Sequence, residues 1–280
     1  HPAFISMNTN GFWVGKFETG YKGATSVSSS QVNANDTSKV IIKSNVYSWR
    51  NITIKNIFET SYNYKRNLDS HMMKNTEWGA ISYLSHSKYG INREININNN
   101  SSYKTGYSAS RSTYQQTSPG ESGDGSNFNS AYNTINGFKA STTENITGVY
   151  DMSGGAWEYM ASYITGKLGS SGFSTTTLDI YDSKYFDQYN ASSNETSYQY
   201  RILGDATGEM GIFKKFIDND NNSRYHSSWY GDFSSFVDST YPWLTRGGIF
   251  SNGMIGGSFY FSRFTGANNT YGTFRIVLTP

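Results

Sequence analysis

The chain has 280 residues and a formal net charge of +2, from 23 Lys and Arg and 21 Asp and Glu residues. The two signs nearly balance and the basic residues are scattered, so the sequence provides no broad positive surface for a nucleic acid partner. The absence of cysteine excludes disulfides, thiolate metal sites and a cysteine nucleophile.

Aromatic residues make up 16% of the chain, the same share as the charged residues, and include 23 Tyr and 17 Phe. Asn, Ser, Thr and Gly supply much of the remaining polarity. This mixture is typical of binding loops, in which tyrosine provides contact area and small polar residues adapt around it. An AT-rich genome produces the same composition without any binding role, so composition alone does not decide between the two interpretations.

No apolar run approaches the roughly 20 residues that span a bilayer, so we expect no membrane insertion. The sequence begins at His1, and we expect it to be the C-terminal part of a longer protein whose anchor or targeting segment lies upstream. Irregular β-rich folds of this length can form one unit. We therefore expect residues 1–280 to form a single domain.

Two segments of the N-terminal part carry periodic patterns of unequal strength. Residues 11–18, GFWVGKFE, alternate in a way that predicts a half-buried strand. Residues 59–67 show a weaker and ambiguous helical pattern, with Asp69 or Ser70 as a candidate helix cap.

The clearest helix begins at Asn75 or Thr76, either of which can serve as its N-cap, and runs to Ser85, with Gly90 available as a terminator. Its apolar residues recur at helical spacing and predict one buried face: Trp78, Ile81 and Leu84.

Two long stretches are predicted to be surface loops inserted into the domain, at about residues 95–146 and 169–200. Both are dominated by Asn, Ser, Thr, Gly and Tyr and lack sustained periodicity. Order returns at the C-terminus, where residues 257–262 and 273–278 predict strands separated by a turn at 266–270. The chain as a whole is predicted to be α+β, loop-rich and with few helices.

Four segments carry a resemblance to a known family. They are WVGKFE at 13–18, NTEWG at 75–79, GVYDMSGGAWEY at 148–159, and RGG at 246–248 followed by GTFRI at 272–276. In this order they resemble the opening strand, the first helix, the G-L-Y-D-M-x-G-N-V-W-E-W signature and the closing pair of the formylglycine-generating-enzyme family. The resemblance covers nearly the whole chain and implies a C-type-lectin-like fold of that type.

The residues of these motifs are expected to hold the fold together: Trp157, Glu158, Arg246, Gly247, Gly248 and Arg275. Consecutive glycines permit tight turns, and Trp157 is expected to bury a large area. Glu158, Arg246 and Arg275 would be costly to bury alone, which predicts a buried carboxylate–guanidinium pairing.

Within this family the chain resembles a cysteine-free branch, the variable proteins of diversity-generating retroelements, which serve as receptor-binding proteins of phage tails and as bacterial surface proteins. The resemblance implies that the ligand-facing surface lies between Arg246 and Phe274. The residues expected to bind are Phe250, Ser251, Asn252, Met254, Ser258, Tyr260, Ser262, Arg263, Phe264, Asn268, Asn269 and Tyr271.

Strand alternation divides this stretch between core and surface. We expect Phe259 and Phe261 to point inward, while Ser258, Tyr260 and Ser262 face outward. An ordinary terminal hairpin, with alternate residues in the core, is the competing interpretation. The R-G-G is followed by Ile-Phe where the branch has Ser-Trp, so the resemblance does not imply active diversification.

Catalytic and metal motifs are weak. The formylglycine activity needs cysteines, and the four histidines have no spacing suited to a shared iron site. Asp205 and Glu209 are the best carboxylate pair for a glycosidase, although a structural loop is the favoured interpretation. Asp218, Asp220 and Asn222 resemble half of a calcium loop, which makes calcium a candidate cofactor. We otherwise expect no cofactor and no enzymatic activity.

Three functions from different classes remain. The first is an adhesin or receptor-binding domain that contacts a host-cell surface protein or glycan, located on a virion or a bacterial cell surface. The second is a structural module of a surface appendage or virion, in which the same surface joins subunits into a homo-oligomer. The third is a carboxylate-dependent glycoside hydrolase.

Overall fold

A computed structural model describes residues 1–110, 130–190, 201–207 and 230–279, together with the backbone of 214–217 and 223–226. Within these residues the α-helices are α1 (Pro2–Met7), α2 (Ile54–Tyr64), α3 (Asn75–Ser85) and α4 (Thr175–Leu178). The other described residues form strands, loops and short 3₁₀ helices at Thr37–Lys39, Arg66–Leu68, Gly137–Ala140, Ser183–Tyr185 and Gly253–Ile255. The described structure is therefore mixed α and β, loop-rich and poor in helix, as predicted.

The largest sheet has five strands. It contains β7 (Trp157–Ile164), β8 (Asp187–Tyr189), β11 (Trp243–Gly247), β12 (Gly257–Phe264) and β13 (Gly272–Thr273). The order is β12-β11-β7-β13, and β8 also pairs with β7. The β11 strand runs antiparallel to both neighbours, whereas β8 and β13 run parallel to β7.

A second sheet joins the two ends of the chain. It has the order β1 (Trp13–Val14), β14 (Ile276–Leu278), β4 (His71–Met72). Two-stranded pairs complete the described strands: β2 (Gly20–Tyr21) with β3 (Val40–Ile41), β5 (Tyr107–Ser108) with β6 (Ser130–Ala131), and β9 (Lys214–Ile217) with β10 (Ser223–His226).

Both faces of the five-stranded sheet are covered. Along β7, Tyr159, Ala161 and Tyr163 enter one hydrophobic cluster, while Met160 and Ile164 enter another. Successive strand side chains point to opposite faces, so this alternation means that β7 has core on both sides. The sheet therefore lies at the centre of the core, and the neighbouring loops pack around it.

The predicted helix at 75–85 is confirmed, and its start depends on carboxylates. Asp187 accepts a hydrogen bond from the backbone N–H of Thr76 at 2.7 Å, and Glu77 accepts one from that of Lys74 at 2.8 Å. The N-cap is Lys74, so the prediction of Asn75 or Thr76 was wrong by one or two positions. Leu84 is 52% exposed, so it does not belong to the buried face.

Two other expectations needed correction. The predicted strand at 11–18 is limited to β1, because Glu18 turns inward and its backbone N–H binds Asp151 instead of a strand. The ambiguous pattern at 59–67 marks the second half of α2, which begins earlier, after Thr53, and buries Ile54, Ile57 and Phe58.

The predicted loop stretches contain more order than expected. The described part of 95–146 includes β5 and β6, and that of 169–200 includes α4 and β8. The predicted strand at 257–262 is confirmed and extends to Phe264 as β12. The predicted strand at 273–278 is divided into β13 and β14, because Arg275 turns into the core between them.

Candidate functional site

A fully buried ion pair holds the centre of the fold. Arg275 Nε lies 2.9 Å from Glu158 Oε2, and neither side chain has exposed surface. The sequence predicted a buried carboxylate–guanidinium pairing among Glu158, Arg246 and Arg275, and Arg275 is the residue that pairs with Glu158. The guanidinium of Arg246 donates to backbone carbonyls, including that of Asp205 at 2.9 Å, and lies over the Trp78 ring.

The R-G-G motif forms a turn that only glycine tolerates. Gly247 and Gly248 have φ angles of +83° and +77°, and a Cβ at Gly248 would lie 2.7 Å from Asn252 Oδ1. The Asn252 side chain is used inside this turn, where it accepts the backbone N–H of Ile249 at 2.7 Å. Asn252, predicted to bind ligand, thus also stabilises the start of the predicted binding stretch.

The twelve predicted binding residues do not form one exposed surface. Phe250, Ser251, Ser258 and Tyr260 are buried, and Asn252, Met254, Ser262, Arg263, Phe264 and Asn269 are partly buried. Asn268 and Tyr271 are exposed. The exposed part of the predicted site is therefore concentrated after β12.

The prediction that Ser258 and Tyr260 face outward was wrong. Strand β12 is covered on both faces, so Ser258 and Tyr260 are buried together with Phe259 and Phe261. The carbonyl of Ser258 accepts Trp78 Nε1 at 2.7 Å, and the Tyr260 ring packs 5.6 Å from that of Phe233. The alternation rule failed because it assumes that one face of the strand meets water.

Residues 266–271, here the 266–271 loop, connect strands at opposite edges of the sheet. β12 lies at one edge and β13 at the other, so the chain between them does not form a hairpin. The hairpin of the competing interpretation is therefore wrong, whereas its assignment of alternate residues of this stretch to the core holds for Phe259 and Phe261. The loop instead runs past β7, and the Tyr159 hydroxyl donates to the carbonyl of Ala267 at 2.9 Å.

The backbone of the 266–271 loop is held at nearly every residue. The carbonyl of Gly266 accepts the N–H of Ile54 at 3.2 Å, and that of Asn269 accepts the N–H of Asn51 at 2.8 Å. The Tyr271 carbonyl accepts the N–H of Trp157 at 2.8 Å. All three bonds end on backbone carbonyls of the loop, so its exposed side chains take no part in them.

The buried side chain of Arg50 donates a hydrogen bond to the same loop. Its guanidinium donates to the carbonyls of Thr270 and, at 2.9 Å, Val27, and lies 3.9 Å from the centre of the Tyr103 ring. The residue is 1% exposed, so the cation is committed to these contacts and is not offered to a ligand.

One ring of the loop and two rings beside it form what we call the aromatic surface: Tyr271, Trp157 and Phe264. The centre of the Trp157 ring lies 5.7 Å from that of Tyr271 and 6.2 Å from that of Phe264. Trp157 and Phe264 are partly buried, and Tyr271 is 36% exposed. Trp157 is therefore less buried than the sequence predicted, and it contributes part of this surface.

Two amides lie at the edge of this surface. Asn268 Nδ2 donates to Asn51 Oδ1 at 2.9 Å, so each side chain orients the other. Asn51 has a φ angle of +60°, a left-handed conformation that asparagine adopts more readily than most residues. No local sequence signal identifies Asn51, because it reaches the loop only through the tertiary fold.

Of the enzymatic and metal candidates, the structure describes only Asp205. Asp205 is buried and accepts hydrogen bonds from Tyr189 Oη and the Thr207 N–H, a structural role. Its predicted partner Glu209 and the calcium candidates Asp218, Asp220 and Asn222 lie outside the described residues. Where side chains are described, no group of three or more His, Asp or Glu could hold a metal ion.

A separate apolar cavity of about 500 Å³ lies between α1, the start of β1 and α3. Its lining includes Phe4, Phe12, Ile81 and Leu84. Ile5 and Trp13, which adjoin these residues in sequence, are 78% and 70% exposed.

Comparison of the sequence with protein-family models and with curated proteins gave no match. Among the helices of the described residues, none combines the length and apolarity needed to cross a membrane.

Proposed function

We propose that this chain is a C-type-lectin-like domain of the formylglycine-generating-enzyme type that binds an extracellular ligand without catalysis. The binding site in this proposal is the aromatic surface together with the exposed side chains of the 266–271 loop. One observation carries the proposal. The backbone of the loop is hydrogen-bonded to the rest of the domain, while the side chains of Asn268, Thr270 and Tyr271 are exposed to solvent.

This arrangement suits recognition for an energetic reason. A loop that is already ordered loses little conformational entropy when a ligand binds, so more of the contact energy appears as affinity. Aromatic anchors surrounded by short amide and hydroxyl side chains are the composition of antibody binding loops. The loop sequence GANNTY has that composition.

We place the domain on a virion or a bacterial cell surface, where it would contact a host-cell surface protein or glycan. The family resemblance supports this location. Met254, Ser262 and Arg263 are partly buried, so in this proposal they lie at the margin of the site and contribute less to binding. Arg263 is in addition already paired with Asp238.

A binding screen tests the proposal. The labelled domain is incubated with a panel of intact bacterial and mammalian cells, with calcium or with EDTA, beside the triple variant Asn268→Ala, Thr270→Ala, Tyr271→Ala. We expect at least one cell type to bind the domain and the triple variant to lose that binding. Equal binding by Tyr89→Ala, which removes another exposed tyrosine, is the matched control.

One observation favours a second candidate, the structural module. Leu84, which lines the apolar cavity, is exposed, and so are Ile5 and Trp13, which adjoin lining residues in sequence. Exposed apolar side chains of this kind are typical of a subunit contact. Sedimentation velocity over a range of concentrations separates the two candidates. The structural module would be favoured if the wild-type domain self-associates, the variants Trp13→Ser and Leu84→Ser do not, and the domain binds no cell type.

A further inference from the structure

Resting on the proposed binding function, we propose that the ligand of the aromatic surface is a neutral sugar, recognised as a hexopyranose ring of a cell-surface glycan. Three features of the site lead to this class: the flat rings, the pair of amides beside them and the absence of charge in the loop.

The rings provide the stacking face. A pyranose has an apolar side formed by its C–H groups, and aromatic rings contact that side while the hydroxyls remain at the rim. The exposed Tyr271 ring and the partly buried Trp157 ring lie at an interplanar angle of 64°, so they form a corner and not a flat sheet. Tyr271 is the exposed ring of the pair, so we expect one sugar ring to stack on Tyr271 beside Trp157.

The amides provide a directional donor and acceptor. The bond between Asn268 Nδ2 and Asn51 Oδ1 uses one donor and one acceptor, and leaves the Asn51 NH₂ group and Asn268 Oδ1 without a partner among the described residues. If both amides were turned over, the same pair would remain with the roles exchanged. A donor beside an acceptor on a fixed frame matches two adjacent hydroxyls of a sugar, each of which can donate and accept.

The absence of charged side chains in the loop disfavours acidic ligands. Residues 264–274, FTGANNTYGTF, contain no charged side chain. The cation beneath them, Arg50, is buried and already binds two carbonyls. A sialic acid or phosphate group would therefore lose its hydration at the loop without gaining an ion pair, whereas a neutral sugar has no such cost.

The small size of the site favours a sugar over a protein. A stable protein–protein interface covers about 800 Å² on each partner. The aromatic surface has three rings and is flanked by two amides, which matches one or two sugar rings more closely than a protein interface.

The test uses cells that bind the domain, treated either with periodate, which cleaves adjacent hydroxyls of sugars, or with proteinase K. We expect periodate to abolish binding and proteinase K to leave it intact. We also expect methyl glycosides of neutral hexoses to compete at millimolar concentration, and at least one to compete where sialic acid does not.

Variants locate the sugar at the site. Tyr271→Ala is expected to weaken binding about tenfold or more, and Tyr271→Phe, which keeps the ring, to weaken it less. Asn51→Gly keeps the left-handed backbone but removes the amide, and is expected to weaken binding with little change in thermal unfolding. Tyr89→Ala is the control.

The outcomes separate the two proposals. Binding that is lost after proteinase K but survives periodate, and that still depends on Tyr271, would identify a protein ligand and overturn the sugar inference while leaving the binding function in place. Binding that does not depend on Tyr271, or no binding to any cell, would overturn the proposed function itself.

Discussion

Arg275 Nε donates to Glu158 Oε2 at 2.9 Å in a site where neither residue has any exposed surface. The same guanidinium also donates to the carbonyl of Tyr150 at 2.9 Å, so Arg275 contacts both β7 and the segment that precedes it. The pair thus fixes the position of β7, from which Trp157 and Tyr159 reach the 266–271 loop.

Removing one partner of this pair is expected to damage the fold. Arg275→Met leaves the Glu158 carboxylate buried without its cation, and breaking a buried pair in this way costs about 3–5 kcal/mol of unfolding free energy. Urea unfolding at neutral pH measures the loss. The exposed pair of Arg93 and Glu144 provides the control, because Arg93→Met is expected to cost less than about 1 kcal/mol. Equal losses in the two variants would contradict the role given to Arg275.

Glu18 is expected to stabilise the fold most at low pH. Burial raises the pKa of its carboxyl well above the usual 4.5, and the negative charges of Asp151 and Glu158 raise it further. The folded state then holds a proton that the unfolded state has released, so stability falls as pH rises above about 4.5. Glu18→Gln resembles the protonated form and keeps the hydrogen bond from the Ala156 N–H.

Unfolding free energies of wild type and Glu18→Gln, measured from pH 5 to about pH 8, test this expectation. The variant is expected to lose less stability than wild type across this range. Glu144→Gln, at an exposed position, serves as the control and should follow the wild-type profile. Parallel profiles for wild type and Glu18→Gln would show that Glu18 is ionised in the folded protein.

Glu77 has the opposite pH dependence. Burial raises the pKa of its carboxyl, but His71 and Lys74 lower it by more, and the net pKa lies below its usual value. Both ring nitrogens of His71 face oxygen acceptors, Asp69 O and Glu77 Oε1, each at 2.8 Å. The stability contributed by ionised Glu77 is therefore present above about pH 4.5 and is lost as pH falls through the lower folded pKa.

Glu77→Gln is expected to destabilise the protein at neutral pH and to reduce the loss of stability on acidification. Unfolding free energies measured at pH 7 and at about pH 4 provide the comparison. If acid destabilised the variant as steeply as wild type, another carboxylate would be responsible.

Arg50 is expected to act as a positioning residue for the binding loop. Arg50→Met keeps most of the apolar stem but removes the donors to Thr270 and Val27, which costs about 1–3 kcal/mol for buried groups left unpaired. We expect faster hydrogen exchange at the Gly272 amide, which donates to Asn269 O, and weaker ligand binding. Unchanged exchange at Gly272 would show that Arg50 supports the fold without positioning the loop.

Local signals in the sequence predicted several elements well. The helix at 75–85 was evident because its apolar spacing and its Glu77 lie within a few residues of one another. A buried pairing of Glu158 with Arg246 or Arg275 was predicted because a buried charge needs a partner of opposite sign, but the sequence did not indicate which arginine it would be.

The errors arose where distant parts of the chain decide the outcome. Tyr260 is buried because an additional layer that includes Phe233 covers its face of β12, and strand alternation cannot reveal such a layer. Asn51 belongs to the candidate site only because its backbone binds Asn269, more than two hundred positions later. The choice of Tyr271 and Asn268 as binding residues remains a prediction, although both are exposed.

The most direct test of the account is the unfolding free energy of the triple variant Asn268→Ala, Thr270→Ala, Tyr271→Ala, measured beside Trp78→Ala. If the 266–271 loop is held by its backbone, the triple variant should lose no more than about 1 kcal/mol, while Trp78→Ala, in the core, should lose about 3–5 kcal/mol. A loss in the triple variant as large as that in Trp78→Ala would show that these side chains serve the fold, and would contradict their assignment to binding.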